Sequence, residues 1–383
     1  MKHRAALFVI PALVVVFAAA TRPVSPFGPA RTLDLGSGHS PSCLAVGDFD
    51  RDGHVDLAVG SEGANDVTIF RGDGRGGLRR SGAFPAGPSP TEIAAADFNR
   101  DGALDLAIPN HGVSKVTVLL GDGRGGFRPA PGSPLSVRST PHPHTVGACD
   151  SDGDGALDLV IDSFAENRLT LLRGDGRGGF AAPGIPIEAG RKPYSNLRFA
   201  DLNGDGRCDL AISNMAERGV TVLFGDGRGR FPGAQAPPIS AGPSPFSIAL
   251  GDVNRDGKPD VVIANYSGQL SDPTDDGLTF LLNDGHGRFR LGARIPTGRA
   301  SVDAATGDVN GDGYADAVTG NLGSGDITVA FGGPDGLSAS RTASVPCGGR
   351  VQRVLLADFD GDGKADAVTA NTESHTLSIL LTR

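Results

Sequence analysis

The chain has 383 residues, of which 58 are Gly, 27 are Pro and none is Trp, and its formal net charge is −9. So much Gly and Pro would indicate disorder if it were aperiodic, but here it recurs at a fixed interval, which indicates a repeat architecture. The sequence has no nucleophile elbow, no zinc-protease motif and no basic, aromatic-interleaved stripe, which argues against those enzymes and against a nucleic-acid partner. Its Gly-rich turns end hairpins rather than open helices, so no nucleotide site is expected.

The N-terminus is typical of an export signal. Lys2 and Arg4 precede an apolar run over residues 5–20, which ends in three small alanines. The run is shorter than the ~20 residues of a membrane span, although an uncleaved anchor stays an alternative. The sequence predicts a signal peptide over residues 1–20, a linker over 21–26, and a secreted, periplasmic or cell-surface mature chain without stable membrane insertion.

Seven copies of the pattern D-x-[D/N]-x-D-G-x-x-D follow along the chain. We number these acidic loops 1 to 7; they cover residues 48–56, 97–105, 150–158, 201–209, 252–260, 308–316 and 358–366. An apolar stretch leads into each loop, and two strand-like runs follow it, with an Asn or Ser between them. A turn such as GDGRGGF and a Pro-rich stretch complete the unit. Each unit therefore contains four short strands, which is the content of a propeller blade.

This repeated order of strands, loops and turns predicts an all-β fold. We expect a single seven-bladed β-propeller of four-stranded antiparallel blades over residues 27–383. After loop 7 the chain has only two strands left, so blade seven lacks its outermost strand. Residues 27–36 resemble the stretch that supplies this strand in other units. We expect the N-terminal segment to complete blade seven and close the ring, which would protect two sheet edges at once.

The acidic loop, the Asn-containing turn and the GDGRGGF ending resemble FG-GAP and VCBS-type repeats, which are similar to the propeller head of integrin α-subunits. The resemblance covers residues 27–383. It implies a seven-bladed propeller with calcium in the loops between the first and second strands of the blades. Function varies widely in this family, so the resemblance says little about the ligand.

Calcium takes 6–8 oxygen ligands, which the side chains at loop positions 1, 3, 5 and 9 and a backbone carbonyl at position 7 can supply. Gly at position 6 tolerates the positive φ that a chain folding around an ion requires. An EF-hand is excluded because position 12 is never Glu. The predicted ligands of up to seven Ca²⁺ are Asp48, Asp50, Asp52 and Asp56; Asp97, Asn99, Asp101 and Asp105; Asp150, Asp152, Asp154 and Asp158; Asp201, Asn203, Asp205 and Asp209; Asp252, Asn254, Asp256 and Asp260; Asp308, Asn310, Asp312 and Asp316; and Asp358, Asp360, Asp362 and Asp366.

Plain Asx-turns without metal are the alternative, but like charges crowded into one loop repel by ~1–4 kcal/mol per pair. Loops 1, 3 and 7, with four Asp each, are predicted to bind the ion more tightly than the loops with Asn at position 3. The acidic composition is then a metal-binding property rather than a sign of a basic partner.

The loops opposite the acidic loops are predicted to recognise a ligand, because loops vary while the scaffold does not. Six residues are candidate contacts, although a structural role is open for each: Tyr194, Phe246, Tyr266, Arg299, Arg350 and His375. The predicted function is a monomeric binding or adhesion module for glycan or extracellular protein. A calcium-dependent polysaccharide-active enzyme (a lyase or hydrolase) and a purely structural surface protein stay as alternatives.

Three further features have a plain and a functional interpretation. The RGD triplets at 71–73 and 173–175 are expected to form turns rather than adhesion ligands. The PHPH segment at 141–144 is expected to be a solvent-exposed loop rather than a metal or catalytic pair, since no acidic partner stands at a fixed offset. Cys43, Cys149, Cys208 and Cys347 allow three disulfide pairings, among which the sequence does not choose.

Overall fold

The computed structural model describes residues 24–137, 143–163, 167–232, 238–266, 268 and 274–383. The predicted signal peptide, residues 1–20, lies outside this part of the chain. Within it, no helix is long and apolar enough to cross a membrane. The two helices described there are single 3-10 turns, Met215–Glu217 and Thr372–Ser374.

Seven antiparallel sheets form the blades, each with its first strand innermost. Blade one contains β2 (Pro41–Gly47), β3 (Asp56–Ser61), β4 (Asp66–Gly72) and β5 (Leu78–Pro85). Blade two contains β6 (Ala94–Ala96), β7 (Asp105–Asn110), β8 (Lys115–Gly121), β9 (Phe127–Pro129) and β10 (Leu135–Ser136). Blade three contains β11 (Val146–Cys149), β12 (Asp158–Ser163), β13 (Arg168–Leu172) and β14 (Ile185–Glu188).

The remaining blades repeat this order. Blade four contains β15 (Pro193–Ala200), β16 (Asp209–Asn214), β17 (Gly219–Leu223) and β18 (Ile239–Ser240). Blade five contains β19 (Pro245–Gly251), β20 (Asp260–Asn265), β21 (Gly277–Asn283) and β22 (Phe289–Leu291). Blade six contains β23 (Ser301–Gly307), β24 (Asp316–Asn321), β25 (Asp326–Ala330) and β26 (Thr342–Pro346).

Blade seven combines the two ends of the chain, as predicted. It contains β27 (Val351–Ala357), β28 (Asp366–Asn371), β29 (Thr376–Leu380) and, from the N-terminus, β1 (Arg31–Asp34). Strand β1 pairs with β29 in antiparallel register, with Arg31 opposite Ile379. Phe27 adds a bridge to Thr382, and its side chain is buried between blades six and seven. The predicted seven-bladed, four-stranded propeller is confirmed, except that β9 and β10 divide the outer strand of blade two.

The core lies between neighbouring blades rather than within any one of them. Strands such as β7 are buried at every residue because both of their faces are covered. One cluster packs Phe49 and Ile69 of blade one against Leu106 and Ile108 of blade two. A sheet covered on both faces reads as a nearly continuous apolar run, which is why these strands do not alternate with polar residues.

The Asn residues predicted to make turns end the second strand and are buried. Asn265 donates from Nδ2 to Thr279 Oγ1 over 2.9 Å, and Asn321 donates in the same way to Thr328 Oγ1 over 2.9 Å. Each of these Asn side chains thereby joins the second strand of its blade to the third. The acidic loops and the Gly-rich turns lie at one end of the blades, which we call the acidic-loop face. The second-to-third-strand turns and the blade-to-blade connections lie at the other end, the connection face.

Candidate functional site

The first Asp of each acidic loop organises the loop backbone. In loop 1, Asp48 accepts the backbone N–H of Asp52 (3.0 Å) and of Gly53 (2.9 Å). Gly53 has φ +86°, and the seven position-6 glycines all have φ between +78° and +86°. The predicted reason for Gly at this position, a left-handed backbone, is therefore confirmed.

The Asp at position 9 is buried and faces inward. Asp56 accepts the Phe49 N–H at Oδ2 (2.9 Å) and the Gly72 N–H at Oδ1 (2.8 Å). The other six loops repeat this pattern with their own residues. Burial raises the pKa of all seven position-9 carboxyl groups, and neighbouring loop aspartates raise it further. The pKa reaches about 6 for Asp105 and Asp260 and about 7 for Asp316. A nearby cation would oppose both causes.

Three loops bring carboxylate oxygens close enough to share an ion. Three oxygens, one from each residue of a group, lie within 4.8 Å of one another in the groups Asp48, Asp50 and Asp56; Asp150, Asp152 and Asp154; and Asp358, Asp360 and Asp366. These are loops 1, 3 and 7, which carry Asp at position 3. Several Asp clusters of this face can therefore hold metal ions, and their all-oxygen donor sets fit a hard cation such as Ca²⁺.

Hydrogen bonds join each acidic loop to the next blade. The Gly-rich turn of blade two donates from Gly125 N to Phe49 O over 3.0 Å, and that of blade three donates from Gly178 N to Phe98 O over 3.2 Å. Where position 4 is Arg, its guanidinium also reaches the following loop. Arg51 donates to Asp101 O over 2.9 Å. The repeated GDGRGG turn thus has an inter-blade role that the sequence alone did not suggest.

The RGD triplets lie in this network. Arg71 and Gly72 end β4, and the aspartates Asp73 and Asp175 begin the Gly-rich turns. Asp73 Oδ1 accepts the N–H of Arg75 (2.9 Å) and of Gly77 (2.8 Å) within the turn. Arg71 Nε lies 3.0 Å from Asp50 Oδ2 of loop 1. Both charged side chains of this triplet are engaged within the propeller.

Of the three possible disulfide pairings, the structure pairs Cys149 with Cys208. Cys149 directly precedes loop 3, and Cys208 is position 8 of loop 4, so the bond joins two acidic loops of neighbouring blades. Cys43 and Cys347 are free thiols. Burial raises the pKa of both to about 12, which makes them poor nucleophiles at neutral pH.

On the connection face, five aromatic rings form a continuous arc across blades two to five. It runs through His111, His144, Tyr194, Phe246 and Tyr266, with successive centroid distances of 4.9, 4.7, 5.0 and 5.4 Å. The structure thus brings together three of the six predicted contact residues. Tyr194 and Phe246 were expected in loops, but they lie in β15 and β19 because these innermost strands begin earlier than predicted.

The three predicted basic contacts occupy two different places. Arg299 and Arg350 both bind the turn after β24, by donating to Gly323 O (3.0 Å) and Leu322 O (3.2 Å). Burial and, to a smaller extent, Asp276 raise the pKa of the Tyr266 phenol, and the positive charge of Arg350 offsets part of this rise. His375 lies apart, with Nδ1 2.8 Å from His39 O, where it contacts the N-terminal segment that closes the ring.

The expectation of a solvent-exposed loop without an acidic partner at His144 is wrong. His144 Nδ1 lies 3.3 Å from Oδ2 of Asp162, a fully buried residue at the end of β12. The side chain of His144 is only 16% exposed. His142, the other histidine of the segment, lies outside the described residues.

Charged side chains cross the central channel, and sequence reasoning missed them. Arg353 donates to Ser42 O and Thr91 O, both over 3.1 Å, and its Nη1 lies 3.7 Å from Asp303 Oδ1. Asp303 Oδ2 in turn accepts the Val354 N–H over 3.0 Å. Arg353 therefore ties together segments of blades one, two, six and seven. A charged residue inside a mostly apolar innermost strand was the available signal.

Two further side-chain pairs lie beside Arg353 in the channel. Arg198 Nη1 donates to Glu92 Oε1 over 2.9 Å, and Asn196 Nδ2 donates to Asp303 Oδ1 over 2.7 Å. These residues line a channel cavity of about 330 Å³, whose other walls include Phe199 and further apolar side chains. Since every named charge has a partner of opposite sign, this hydrogen-bonded cluster of the channel is neutral.

Seven blades with acidic loops on one face define a repeat-built β-propeller with candidate metal sites. The family model of the FG-GAP-like repeat matches residues 48–108, 150–212, 201–263 and 308–369. The chain therefore belongs to the FG-GAP-like repeat family. A search of curated proteins finds no match.

Solved structures share the fold at low sequence identity. BBS1N, solved in complex with ARL6DN, is 14% identical with a TM-score of 0.62, and the match covers 95% of this chain and 98% of that one. A lectin of Agrocybe aegerita that recognises non-reducing terminal N-acetylglucosamine is 17% identical with a TM-score of 0.55, over 92% and 97%. A catalytically inactive virginiamycin B lyase of Staphylococcus aureus with quinupristin is 15% identical with a TM-score of 0.58, over 93% and 100%. At such identity the likeness concerns the fold alone.

Proposed function

We propose that this chain is an exported, calcium-loaded propeller that binds glycan or extracellular protein through its connection face. The observation that carries the proposal is the aromatic arc. It places Tyr194, Phe246 and Tyr266 side by side. Tyr194 and Tyr266 each combine an aromatic ring with a hydroxyl group, and binding surfaces often rely on such side chains.

Export is supported by two separate features. The basic and apolar N-terminus has the composition of a signal peptide over residues 1–20, and its removal would leave the propeller, residues 27–383, in the mature chain. The Cys149–Cys208 bond belongs to an oxidising compartment, where disulfides persist. Together they favour a secreted, periplasmic or cell-surface location.

Calcium is supported by the chemistry of the loops. Position-1 carboxylates bind the loop backbone, position-9 carboxylates are buried, and three loops gather carboxylate oxygens within 4.8 Å. An all-oxygen set of this kind suits Ca²⁺ better than a softer ion. The ion would neutralise the loops and stiffen the acidic-loop face, which leaves recognition to the opposite face.

Two of the structural neighbours fit a binding module, since one was solved with a protein partner and the other is a lectin. The test is a glycan array probed with the calcium-loaded mature chain, followed by the variants Tyr194→Ala and Phe246→Ala. Loss of array binding in both variants, with an unchanged melting temperature, supports the proposal. Unchanged binding in both variants contradicts it, and cleavage of a bound glycan would establish the enzyme alternative.

A further inference from the structure

A small cavity lies between blade one and the N-terminal strand of blade seven, near the connection face. Its volume is about 130 Å³. Leu33 of β1 supplies one apolar wall, and Val59 and Phe70 of blade one supply another. Its polar lining includes Ser61 and Thr68. None of its lining residues belongs to the acidic loops or to the aromatic arc, so the cavity is separate from both.

Three buried polar atoms around this cavity have no hydrogen-bond partner among the described residues. They are Oγ1 of Thr68, Oδ1 of Asp66 and Nδ1 of His39. Thr68 is only 4% exposed, and Oδ2 of Asp66 lies 3.9 Å from Nε2 of His39. Buried polar groups are almost always hydrogen-bonded, so a group of unpaired atoms in one place indicates that a partner is missing.

Blade six shows which chemical group pairs with such atoms. Asn321 ends its second strand, and Nδ2 of this residue donates to Asp326 Oδ1 over 3.1 Å and to Thr328 Oγ1 over 2.9 Å. These two acceptors stand five and seven residues after the Asn. Asn371 of blade seven uses its amide in the same way. One carboxamide therefore satisfies both acceptors of a blade.

Blade one has Ser61 where these blades have Asn. Asp66 and Thr68 follow it in the equivalent strand register, but the short Ser side chain leaves their oxygens unpaired. The connection loop shows the same extra room. Gly38 and Gly298 each stand two residues before a carbonyl that accepts the first N–H after the second strand. A Cβ at Gly298 would lie 2.7 Å from the Asn amide of blade six, whereas a Cβ at Gly38 would have no described residue within 4 Å except its chain neighbours.

A ligand can supply the amide that Ser61 lacks. We propose that this cavity, the Ser61 pocket, binds a primary carboxamide carried on a short alkyl chain. The two N–H groups of the amide donate to Asp66 Oδ1 and Thr68 Oγ1, as the Asn amide does in blade six. The amide oxygen can accept from His39 Nδ1 when that nitrogen carries a proton. The alkyl chain packs against the apolar walls, which offer a water molecule no hydrogen bond.

The charge and size of the Ser61 pocket suit a small neutral ligand. Burial raises the pKa of Asp66, and the charges of His39 and Arg80 offset part of this rise. The carboxylate therefore already has cationic neighbours, and a neutral donor suits it better than a further cation. The volume of about 130 Å³ equals that of roughly four waters at ~30 Å³ each. The side chains of His39 and Asp66 are 23% and 18% exposed, which gives the ligand access from solvent.

The test measures the binding of propionamide to the calcium-saturated mature chain by saturation-transfer NMR, with a dissociation constant expected in the millimolar range because the ligand is so small. Two control ligands have nearly the same shape. N-methylacetamide is an isomer with a single N–H, and butan-2-one has a methyl group in place of the NH₂. Each should bind about tenfold more weakly or worse, because it leaves one or both acceptors unpaired.

Three variants locate the site. Ser61→Asn supplies the chain's own amide, so it should abolish propionamide binding and raise the melting temperature. Thr68→Val removes one acceptor and should weaken binding about tenfold. Thr328→Val makes the same change in blade six, where Asn321 already occupies the equivalent place. It is the matched control and should bind propionamide like the wild type.

The melting temperature of each variant in calcium verifies that its fold is intact. A wild-type chain that binds no propionamide overturns the proposal, and this is the result expected if water alone fills the pocket. Equal binding of either control ligand overturns the assignment to a primary amide. Wild-type affinity in Ser61→Asn, or loss of binding in Thr328→Val, overturns the location.

Discussion

Closure of the ring by the N-terminal segment can be tested with a single substitution, Phe27→Ala. The Phe27 side chain is only 2% exposed and packs with Val309, Phe331 and Leu380 of blades six and seven. Truncating a buried Phe to Ala costs about 3–5 kcal/mol. The roughly 340 described residues unfold with about 2.1 cal/mol/K each, so this loss corresponds to a fall of about 4–7 °C in the melting temperature.

Differential scanning calorimetry of the mature chain in calcium measures this shift. Leu291→Ala is the control, because that residue lies in an outer strand and is 45% exposed; its melting temperature should change little. Deleting residues 27–36 altogether should give an unstable or aggregating protein, since the edge of β29 would lose its partner. A Phe27→Ala protein that melts with the wild type would refute the closure argument.

Three more perturbations address the acidic loops, the disulfide and the channel. Chelating calcium should lower the melting temperature, since each site filled at 100 times its Kd adds about 2.7 kcal/mol; an unmoved calorimetric midpoint would mean that the ions are not structural. Replacing both Cys149 and Cys208 by Ser opens a closed loop of 59 residues and should cost about 4 kcal/mol in chemical denaturation, whereas Cys347→Ser should not. Arg353→Met leaves Asp303 buried without its charge partner and should lower the free energy of unfolding by about 3–5 kcal/mol. Adding Asp303→Asn should recover part of that loss. A double variant no more stable than Arg353→Met alone would argue against the Arg353–Asp303 pair.

The architecture could be predicted from the sequence because its signals are local and repeated. Gly53 and its six equivalents stand at a fixed position in a nine-residue pattern, and the required positive φ is a property of that residue alone. The strand that completes blade seven could be recognised because residues 27–36 resemble the stretch that supplies the outermost strand in the other units. Such features need no knowledge of which blades touch.

Features that depend on strand register or blade contact could not be predicted. Asp162 stands 18 residues after His144 in sequence, and the two meet only because β11 and β12 pair antiparallel. The Cys149–Cys208 bond could be predicted only by knowing how far apart two neighbouring blades lie, and the sequence of a single repeat does not contain that information. The aromatic arc depends in the same way on contacts between successive blades.

One residue, at position 2, connects five of the seven acidic loops to the blade beside them. In loop 1, Phe49 donates its N–H to Asp56 Oδ2, while its carbonyl accepts the N–H of Gly125 from blade two. Position 2 of loops 2, 3, 5 and 7 makes the same two bonds. An ion that holds the position-9 carboxylate in place therefore also supports the junction between two blades.

This coupling determines how the molecule should respond to calcium. If each ion stabilised only its own loop, chelation would loosen one face and leave the blade interfaces intact. In five loops the position-2 residue bonds both the position-9 carboxylate and the neighbouring blade, and Arg51 and the disulfide join further loops. Loss of the ions should therefore weaken the ring as a whole. The calorimetric transition of the chelated protein is then expected to move to lower temperature as a single peak, and a separate early transition of the loops would show that they act alone.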